Sequence, residues 1–586
     1  MKFWQLFILL AFFNFAAPSF GQDARSEAIK EIEKLEKSLR EQPKDSFNWS
    51  IHNSLNYHYW SIDPRKAMEH VEVIFKHQPL DDYTKMVIGG KDSDRAKAKE
   101  NLLKITVNYP DLKCTQACCF IWLAELASDK TEARQWYEKA AALEGLSPLC
   151  QEAVEDFYLF KIAERLPWPN PIPAPQGLHN RPGPWNDTDD LTIWPNTVSR
   201  ANSDPWIAEN HDQIRQMRPR LLLINFSNEH SREHIKKLTL QMIAALAESS
   251  RYHGYKNKDA PIFLDYQIFK FVDLRDADSN EGDCAKVPNK TPGRSTPFNF
   301  KYRSLFSQEF ADYYAVPDPR DPSRNLRLDE LLDGGYVHEV WFYGSASPKT
   351  KIPVGGYEVV EEKPRYDANF RRIGDEWVQA GNGGDSQQPW VGRSCRINGF
   401  DCTRGIGCAL ENLGHGLEGL SHSGAIPYYS KYFPQYAGFD LKQRYNLPID
   451  SLYGAAGPNT YQRTVVEYPN RNKMIVDHDG KRYTVENYVA AGGNVHFPPN
   501  GTRHYDQDND KPVMSTIEDW RIGSGPGGTD VALPYTSAKI QHYRDMAPDC
   551  MGAWLIYWRQ NMPGLDNKQK DDEGRPMKNW MPFLFY

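Results

Sequence analysis

Part of the sequence ending at His422 gathers side chains that bind metal ions or transfer protons. Glu411, His415, Glu418 and His422 follow one another at intervals of three and four residues. Residues at these spacings share one face of an α-helix, so the pattern predicts a helix over residues 403–422 with its carboxylates and imidazoles on one side. A polar stripe of this kind indicates a metal site, a buried hydrogen-bond network or a metal-free site of acid–base catalysis.

A further imidazole lies downstream, in the glycine- and proline-containing loop 492–501, which carries His496. We predict a divalent metal, with zinc expected, held by His415 and His496 together with Glu411 or Glu418. Zinc commonly takes three protein ligands of these types and leaves a fourth position for water, whose pKa it lowers towards 7. The expected chemistry is metal-assisted hydrolysis, of a peptide or amide before an ester or glycan.

Three further residues are candidate catalytic groups. We consider Glu339 and Asp506 as the base or as partners that orient a ligand, and Arg404 is the third candidate. Alternatively, the helix is buried and its polar face is satisfied internally. In that case His415 pairs with Glu339 or Asp506, and Arg404 pairs with a buried carboxylate; the residue spacing is compatible with both interpretations.

The segment from Glu411 to His415 invites comparison with the H-E-x-x-H signature of zinc peptidases. Glu411 stands where that signature has its first histidine, and Asn412 stands where it has the glutamate that activates water. Glutamate is able to ligate zinc, but asparagine cannot accept a proton from water. A metal site here therefore requires a different ligand set and a base from elsewhere.

Glycines are frequent along the same predicted helix. Each costs a helix about 1 kcal/mol relative to alanine, so their number predicts the close approach of another backbone. The glycines concerned are Gly405, Gly407, Gly414, Gly416 and Gly419.

The elements around this helix indicate an α/β domain over residues 218–586. Continuous apolar runs of strand length occur at 221–226, 268–274 and 339–344, with helical segments between them. This alternation predicts a mainly parallel sheet, in which sites gather beyond the strand ends. Residues 348–390 are expected to form a long loop.

Three segments precede that domain. Residues 1–22 have a lysine, an apolar run and small residues before a cleavage position, which predicts a signal peptide. Residues 23–165 have helical periodicity and predict an all-α module. Within it, residues 133–145 resemble one helix of a tetratricopeptide or Sel1-like repeat, which implies protein binding or scaffolding; a packed bundle is the alternative. Residues 166–217 open with repeated prolines and are expected to be a linker.

Composition narrows the possible partners and the compartment. The 586-residue chain has a formal net charge of −7 and no basic patch, which argues against nucleic acid as a partner. The predicted signal peptide indicates a secreted or periplasmic protein, and no transmembrane span is expected in the mature chain. Nine cysteines are compatible with disulfides in an oxidising compartment, with Cys395 paired to Cys402 or Cys284 as candidates.

Several motifs of the predicted α/β domain resemble a family of secreted bacterial proteins of unassigned activity. They are the two strands at 221–226 and 339–344, Gly399-Phe400 with Arg404-Gly405, Gly414-His415 with Glu418, and the run from Asn494 to Asn500. The resemblance covers residues 218–586 and implies export and domain limits.

Two functions follow from these patterns. One is a metal-dependent hydrolase acting on an extracellular peptide, protein or glycan. The other is a non-catalytic extracellular protein that binds a protein or glycan through its helical repeats and aromatic-rich loops.

Overall fold

The computed structural model describes most of the chain in segments. These are residues 22–41, 48–60, 62–77, 95–157, 187–199, 203–288, 300–344, 358–381, 391–454, 464–524 and 528–586. The chain divides into two compact units, Met1–Pro167 and Trp168–Tyr586. Nearly all of the predicted signal peptide and the proline-rich first part of the expected linker lie outside the described residues.

The first unit is helical wherever it is described. Its cores contain apolar side chains at helical spacing, such as Met68, Val71 and Phe75. Asp129 accepts hydrogen bonds from two amide groups and so defines the start of one helix. The helices are α1 Gln22–Arg40, α2 Trp49–Tyr59, α3 Pro64–His77, α4 Arg95–Asn108, α5 Lys113–Glu125, α6 Lys130–Ala141 and α7 Pro148–Phe157.

The second unit is built on a six-stranded sheet of order β4-β3-β7-β10-β8-β9. The first four strands in this order are parallel, whereas β8 and β9 are antiparallel additions. The sheet is therefore mixed, and the predicted parallel arrangement holds for four of its strands. The strands are β3 Arg220–Asn225, β4 Gln267–Asp273, β7 Glu339–Gly344, β8 Glu358–Tyr366, β9 Arg372–Gln379 and β10 Cys395–Asp401.

The expectation of one long loop over residues 348–390 was wrong, because β8 and β9 lie within it. The sequence of β8, Glu-Val-Val-Glu-Glu-Lys-Pro-Arg-Tyr, has neither a continuous apolar run nor strict alternation. Its pairing with β10 places Glu361, Glu362 and Lys363 in the interior of the protein. Tertiary context here overrides the weak local preference of charged residues for strands.

Smaller sheets and further helices surround the six-stranded sheet. The strands are β1 Ile193–Trp194, β2 Gln216–Met217, β5 Pro317–Asp318, β6 Asp321–Asn325, β11 Thr464–Asn470, β12 Lys473–His478, β13 Lys481–Val485, β14 Val513–Asp519 and β15 Val531–Tyr535. The helices are α8 Ser203–Asn210, α9 Arg232–Ser249, α10 Gln308–Tyr314, α11 Leu328–Asp333, α12 Ile406–Ser423, α13 Pro427–Ala437, α14 Leu441–Tyr445 and α15 Gly552–Gln560. Short 3-10 segments cover His211–Gln213, Tyr302–Phe306, Leu452–Gly454, Ser537–Tyr543 and Met581–Phe585.

Helix α12 follows β10 directly and corresponds to the helix predicted over residues 403–422. Most of it is buried against the sheet and against α9, α13 and α15. Two of its glycines, Gly407 and Gly419, have the predicted role, because a side chain there would collide with neighbouring backbone. A Cβ on Gly407 would overlap the carbonyl group of Asp549, and a Cβ on Gly419 would overlap that of Ala380.

The N-terminal turn of α12 is fixed by residues distant in sequence. Asp549 accepts hydrogen bonds from the amides of Gly407 and Cys408, at 2.9 and 3.3 Å. A carboxylate at this position satisfies amides that the helix leaves unpaired and interacts favourably with the helix dipole. Cys408 is also joined to Cys550 by a disulfide that bridges 142 residues of sequence.

The disulfide candidates inferred from sequence were wrong. Cys284, Cys395 and Cys402 are buried and form no disulfide in the described part of the chain. None of the helices in the described part of the chain combines the length and hydropathy that a bilayer crossing requires.

Candidate metal centre

Three of the four predicted ligands meet beside α12. One ligand atom from each of Glu411, His415 and His496 lies within 4.8 Å of the others. Bonds of about 2.0–2.1 Å to a tetrahedral zinc ion place ligand atoms roughly 3.3 Å apart, so this spacing is compatible with a shared ion. We call these three residues the imidazole cluster.

Glu418, the fourth predicted ligand, lies behind His415. Its Oε2 is 2.9 Å from His415 Nδ1, and it also accepts hydrogen bonds from the Tyr453 hydroxyl and the Val495 amide. Because a carboxylate only accepts hydrogen bonds, Nδ1 of His415 carries the proton, and Nε2 of the neutral ring presents a lone pair. Glu418 therefore orients the His415 ring, in the way that carboxylates commonly support zinc-binding histidines.

His496 reaches the helix because its loop packs unusually close to α12. A Cβ on Gly414 would lie 2.8 Å from Val495 Cγ2, so the absence of a side chain there permits the approach. The loop itself is rigid: Asn494 Oδ1 accepts hydrogen bonds from the amides of His496 and Phe497, and Trp554 Nε1 donates to the Asn494 carbonyl.

A chain of hydrogen bonds fixes the protonation of His496. His504 Nε2 lies 3.1 Å from the Tyr453 carbonyl, which only accepts, so Nε2 must donate. Burial, with the nearby His496, lowers the pKa of His504 to about 4, so its ring is neutral at pH 7 and its Nδ1 accepts. His496 Nδ1, at 2.9 Å from that nitrogen, must then be the donor.

This assignment leaves two hydrogen-bond acceptors, His496 Nε2 and Glu411 Oε1, facing each other. A neutral His496 with its proton on Nδ1 directs the lone pair of Nε2 at Glu411 Oε1, only 3.0 Å away. Two acceptors at this distance need a positive or hydrogen-bonding group between them: a proton on Nε2, a metal ion, or the Tyr505 hydroxyl, which is 2.6 Å from Oε1 and 3.4 Å from Nε2. In its neutral form His415 directs the lone pair of Nε2 into the same group.

The burial of Glu411 also favours a cation beside it. Only 1% of its surface is exposed, and its Oε2 has no hydrogen-bond partner in the described part of the structure. An unsatisfied buried carboxylate oxygen is costly. Burial raises the pKa of Glu411, but the hydrogen bonds from His496 and Tyr505 and the charges of His496 and His415 together lower it overall.

The pKa of His415 also depends on burial and on charged neighbours that act in opposite directions. Burial lowers the pKa of His415, but the hydrogen bond to Glu418 and the charges of Glu418 and Glu411 raise it above its usual value. Without a metal ion the ring therefore tends to hold a proton. Metal binding at Nε2 must displace that proton, which makes metal affinity dependent on pH.

Tyr505 borders the cluster on its solvent side and was not expected from the sequence. Its hydroxyl donates to Glu411 Oε1 at 2.6 Å, and 39% of the residue is exposed. Its φ angle is 62°, which is uncommon for a bulky residue and costs free energy. Its position directly after His504, in the loop that carries the predicted ligand, was the available sequence signal.

The three candidate catalytic residues make their contacts elsewhere. Asp506 accepts hydrogen bonds from the amide and hydroxyl of Thr502, which stabilise a turn of the loop. Arg404 donates to Cys550 Sγ and lines a small cavity at the carboxyl end of the parallel strands. Neither of these sets of contacts includes a residue of the imidazole cluster.

Glu339 belongs to a buried ion network at the start of β7. It lies 3.1 Å from Arg396, accepts a hydrogen bond from Tyr266 at 2.9 Å, and is 1% exposed. His415 therefore pairs with Glu418, and not with Glu339 or Asp506 as the structural alternative expected.

A second group of possible ligands, Cys408, Asp549 and Cys550, lies at the start of α12. Its two sulfurs are joined in the disulfide, and Asp549 caps the helix.

Comparisons with protein-family models, curated proteins and solved structures return no match.

Proposed function

We propose that this protein is a zinc-dependent hydrolase whose metal is bound by Glu411, His415 and His496. The observation that carries the proposal is the arrangement of these three residues. Two imidazole lone pairs and a buried carboxylate converge, and hydrogen bonds to His504 and Glu418 hold the imidazoles in the tautomers that bind metal.

The ligand types favour zinc over the hard divalent cations. Calcium and magnesium select oxygen ligands, whereas two nitrogens and one carboxylate suit zinc and its neighbours in the first transition row. Three protein ligands leave a fourth position for water, which is the arrangement of catalytic zinc sites and not of structural ones. Tyr505 lies beside that position and is partly open to solvent.

The reaction class is hydrolysis by metal-bound water. A zinc ion held by Glu411, His415 and His496 would supply a Lewis acid and a water whose pKa is lowered to about 7. The Tyr505 hydroxyl, which contacts Glu411 at the solvent side of the cluster, is placed to donate to a developing oxyanion. A peptide or amide is the substrate class that we favour.

An extracellular or periplasmic location fits this activity. The disulfide between Cys408 and Cys550 is compatible with an oxidising compartment. The substrate then belongs to the same compartment, as a peptide, protein or glycan outside the cytosol.

The test is to measure zinc content and hydrolysis together. Wild-type protein, purified without chelator and dialysed, is expected to contain about one zinc per chain by elemental analysis. It is also expected to cleave members of a peptide and amide library, and activity should disappear with chelator and return with zinc. His415→Ala and His496→Ala are each expected to lose the metal and the activity.

His422→Ala is the matched control. His422 lies on the same helix and is exposed, with its ring stacked on Phe439 and not in the cluster. It should retain both zinc and activity. Equal zinc content in wild type and His415→Ala would refute the site. Bound zinc without hydrolysis of any library member would refute the catalytic role and favour a binding protein with a structural metal.

A further inference from the structure

The hydroxyl of Tyr505 lies against two of the proposed ligands at once. It is 2.6 Å from Glu411 Oε1 and 3.4 Å from His496 Nε2, and these two atoms are 3.0 Å from each other. The three atoms form a compact triangle of one phenol oxygen, one carboxylate oxygen and one imidazole nitrogen. We call this set of three atoms the donor triangle.

The dimensions of the donor triangle suit a metal ion. Ligand atoms around a tetrahedral zinc ion are roughly 3.3 Å apart, because each bond is about 2.0–2.1 Å long. A point about 2 Å from all three atoms exists just outside the plane of the triangle. His415 belongs to the same group, because its ligand atom lies within 4.8 Å of those of Glu411 and His496.

Hydrogen bonding satisfies the donor triangle only in part. The Tyr505 hydroxyl carries a single proton, and Glu411 Oε1 is the nearer of its two acceptors. The neutral His496 ring has its proton on Nδ1, where it faces His504, so its Nε2 also needs a donor. One proton is thus shared among three atoms that have lone pairs, whereas a single cation would satisfy all three.

The backbone holds Tyr505 in this place at a conformational cost. Its φ angle is 62°, in the left-handed region that bulky residues rarely adopt. Its amide donates to the carbonyl of His496 at 3.2 Å, and the centroids of the two rings are 4.8 Å apart. Backbone strain of this kind is concentrated at functional sites.

We propose that Tyr505 is a fourth protein ligand of the metal ion and binds it through the phenol oxygen. This inference rests on the metal site of the proposed function. As the bond between oxygen and metal forms, the O–H bond of the phenol breaks and its proton passes to water. The metal then has two imidazole nitrogens and two anionic oxygens around it, all from side chains of this chain.

The bond to Tyr505 is the one that opens with the least disturbance of the fold. Tyr505 is 39% exposed, whereas the side chains of His415 and His496 are 14% exposed and that of Glu411 is 1% exposed. Its ring can therefore move towards solvent without opening the core. Zinc also accepts a fifth group during catalysis, so a tyrosine ligand is compatible with hydrolysis. Tyr505 thus closes the resting centre towards solvent and makes way for substrate.

The test replaces zinc by Cu²⁺, which binds nitrogen and oxygen ligands more tightly and absorbs visible light when a phenolate is bound to it. Full-length protein is freed of metal with a chelator and titrated with Cu²⁺. We expect a visible charge-transfer band that saturates at about one copper per chain. Tyr505→Phe should bind copper without this band. Its zinc affinity, from competition with a fluorescent chelator, should fall by at least the roughly 10-fold typical of a lost orienting residue.

Tyr483→Phe is the matched control, because Tyr483 lies in strand β13 of the same unit and the band should remain without it. Bound copper without the band in wild-type protein would overturn the role of Tyr505 and leave the site of Glu411, His415 and His496 intact. A band that persists in Tyr505→Phe would assign it to another tyrosine and also overturn the proposal. Wild-type protein that binds neither zinc nor copper would refute both this ligand and the proposed function.

Discussion

The second unit contains two buried groups of carboxylates that differ in the cations facing them. The imidazole cluster on α12 combines Glu411 with two histidines. The other group, which we call the guanidinium cluster, consists of Glu339, Glu361 and Arg396. Sheet register aligns these residues, because Arg396 is the cross-strand partner of Glu339 on one side and of Glu361 on the other.

The cations explain why one cluster is a candidate metal site and the other is not. Arg396 is permanently charged, lies 3.1 Å from Glu339 and 3.5 Å from Glu361, and is 4% exposed. The guanidinium cluster thus holds its own cation. The imidazole cluster has only cations that depend on protonation, so it is completed by a proton or by a metal ion. A buried carboxylate therefore indicates a metal site only when the side chains beside it do not already supply a permanent positive charge.

The largest expected effect comes from removing the permanent cation. Arg396→Met leaves the buried Glu339 without its ion-pair partner, while Glu361 keeps Lys363 at 3.3 Å, and we expect the free energy of unfolding to fall by about 3–5 kcal/mol. Urea denaturation followed by tryptophan fluorescence measures it. Arg215→Met is the control, because Arg215 forms an exposed pair with Asp566, and such pairs contribute about 1 kcal/mol or less. Similar losses in both variants would contradict the distinction between the clusters.

Metal removal should affect the imidazole cluster alone. After chelation, zinc at about 100 times its dissociation constant is expected to raise the free energy of unfolding by about 2.7 kcal/mol, because it binds only the folded state. Glu361→Gln, in the guanidinium cluster, should keep this increase, and His496→Ala should lose it. An increase of the same size in His496→Ala would place the zinc elsewhere.

A smaller change is expected when a ligand loses its orienting partner. Glu418→Gln weakens the support of His415, and we expect zinc affinity to fall 10- to 100-fold, about 1.4–2.8 kcal/mol. Competition with a fluorescent chelator measures the affinity. Asp506→Asn is the control in the neighbouring loop, and its affinity should stay unchanged. A Glu418→Gln variant with wild-type affinity would show that the carboxylate does not orient the ligand.

The smallest effect concerns pH in the metal-free protein. The pKa of His415 is raised above 6.5 in the folded state, so its stabilising contribution is complete below pH 6.5 and is lost as pH rises through the folded value. The pKa values of Glu411 and Glu418 are lowered below 4.5, so their contribution is present above pH 4.5 and is lost as pH falls.

Urea midpoints measured across pH should show both losses. His415→Gln should abolish the alkaline one, while His422→Gln should preserve it. Persistence of the alkaline loss in His415→Gln would assign it to another group.

Sequence reasoning performed best where local geometry is decisive. The spacing of Glu411, His415 and Glu418 predicted one helical face, and α12 has that face within a few residues of the predicted ends. The excess of glycines predicted close backbone contact, which occurs at Gly407 and Gly419. Both inferences follow from the dimensions of a helix and need no knowledge of its neighbours.

Inferences about distant partners were less successful. Glu339 is a carboxylate near a strand end, but only sheet register shows that Arg396 faces it. Tyr505 approaches Glu411 through a loop conformation with a positive φ angle, which the sequence does not encode in a readable way. The partner of Cys408 is 142 residues away, and connectivity over such a distance cannot be read from cysteine spacing.

That disulfide also encloses the whole candidate centre in one covalently closed stretch of chain. The stretch between Cys408 and Cys550 contains the three proposed ligands and four residues around them: Glu418, Tyr453, His504 and Tyr505. Closing a loop of this length reduces the entropy of the unfolded chain by an amount equivalent to about 5 kcal/mol. A protease that cuts the backbone once inside this loop therefore leaves two fragments still tethered, with every ligand retained on the same molecule.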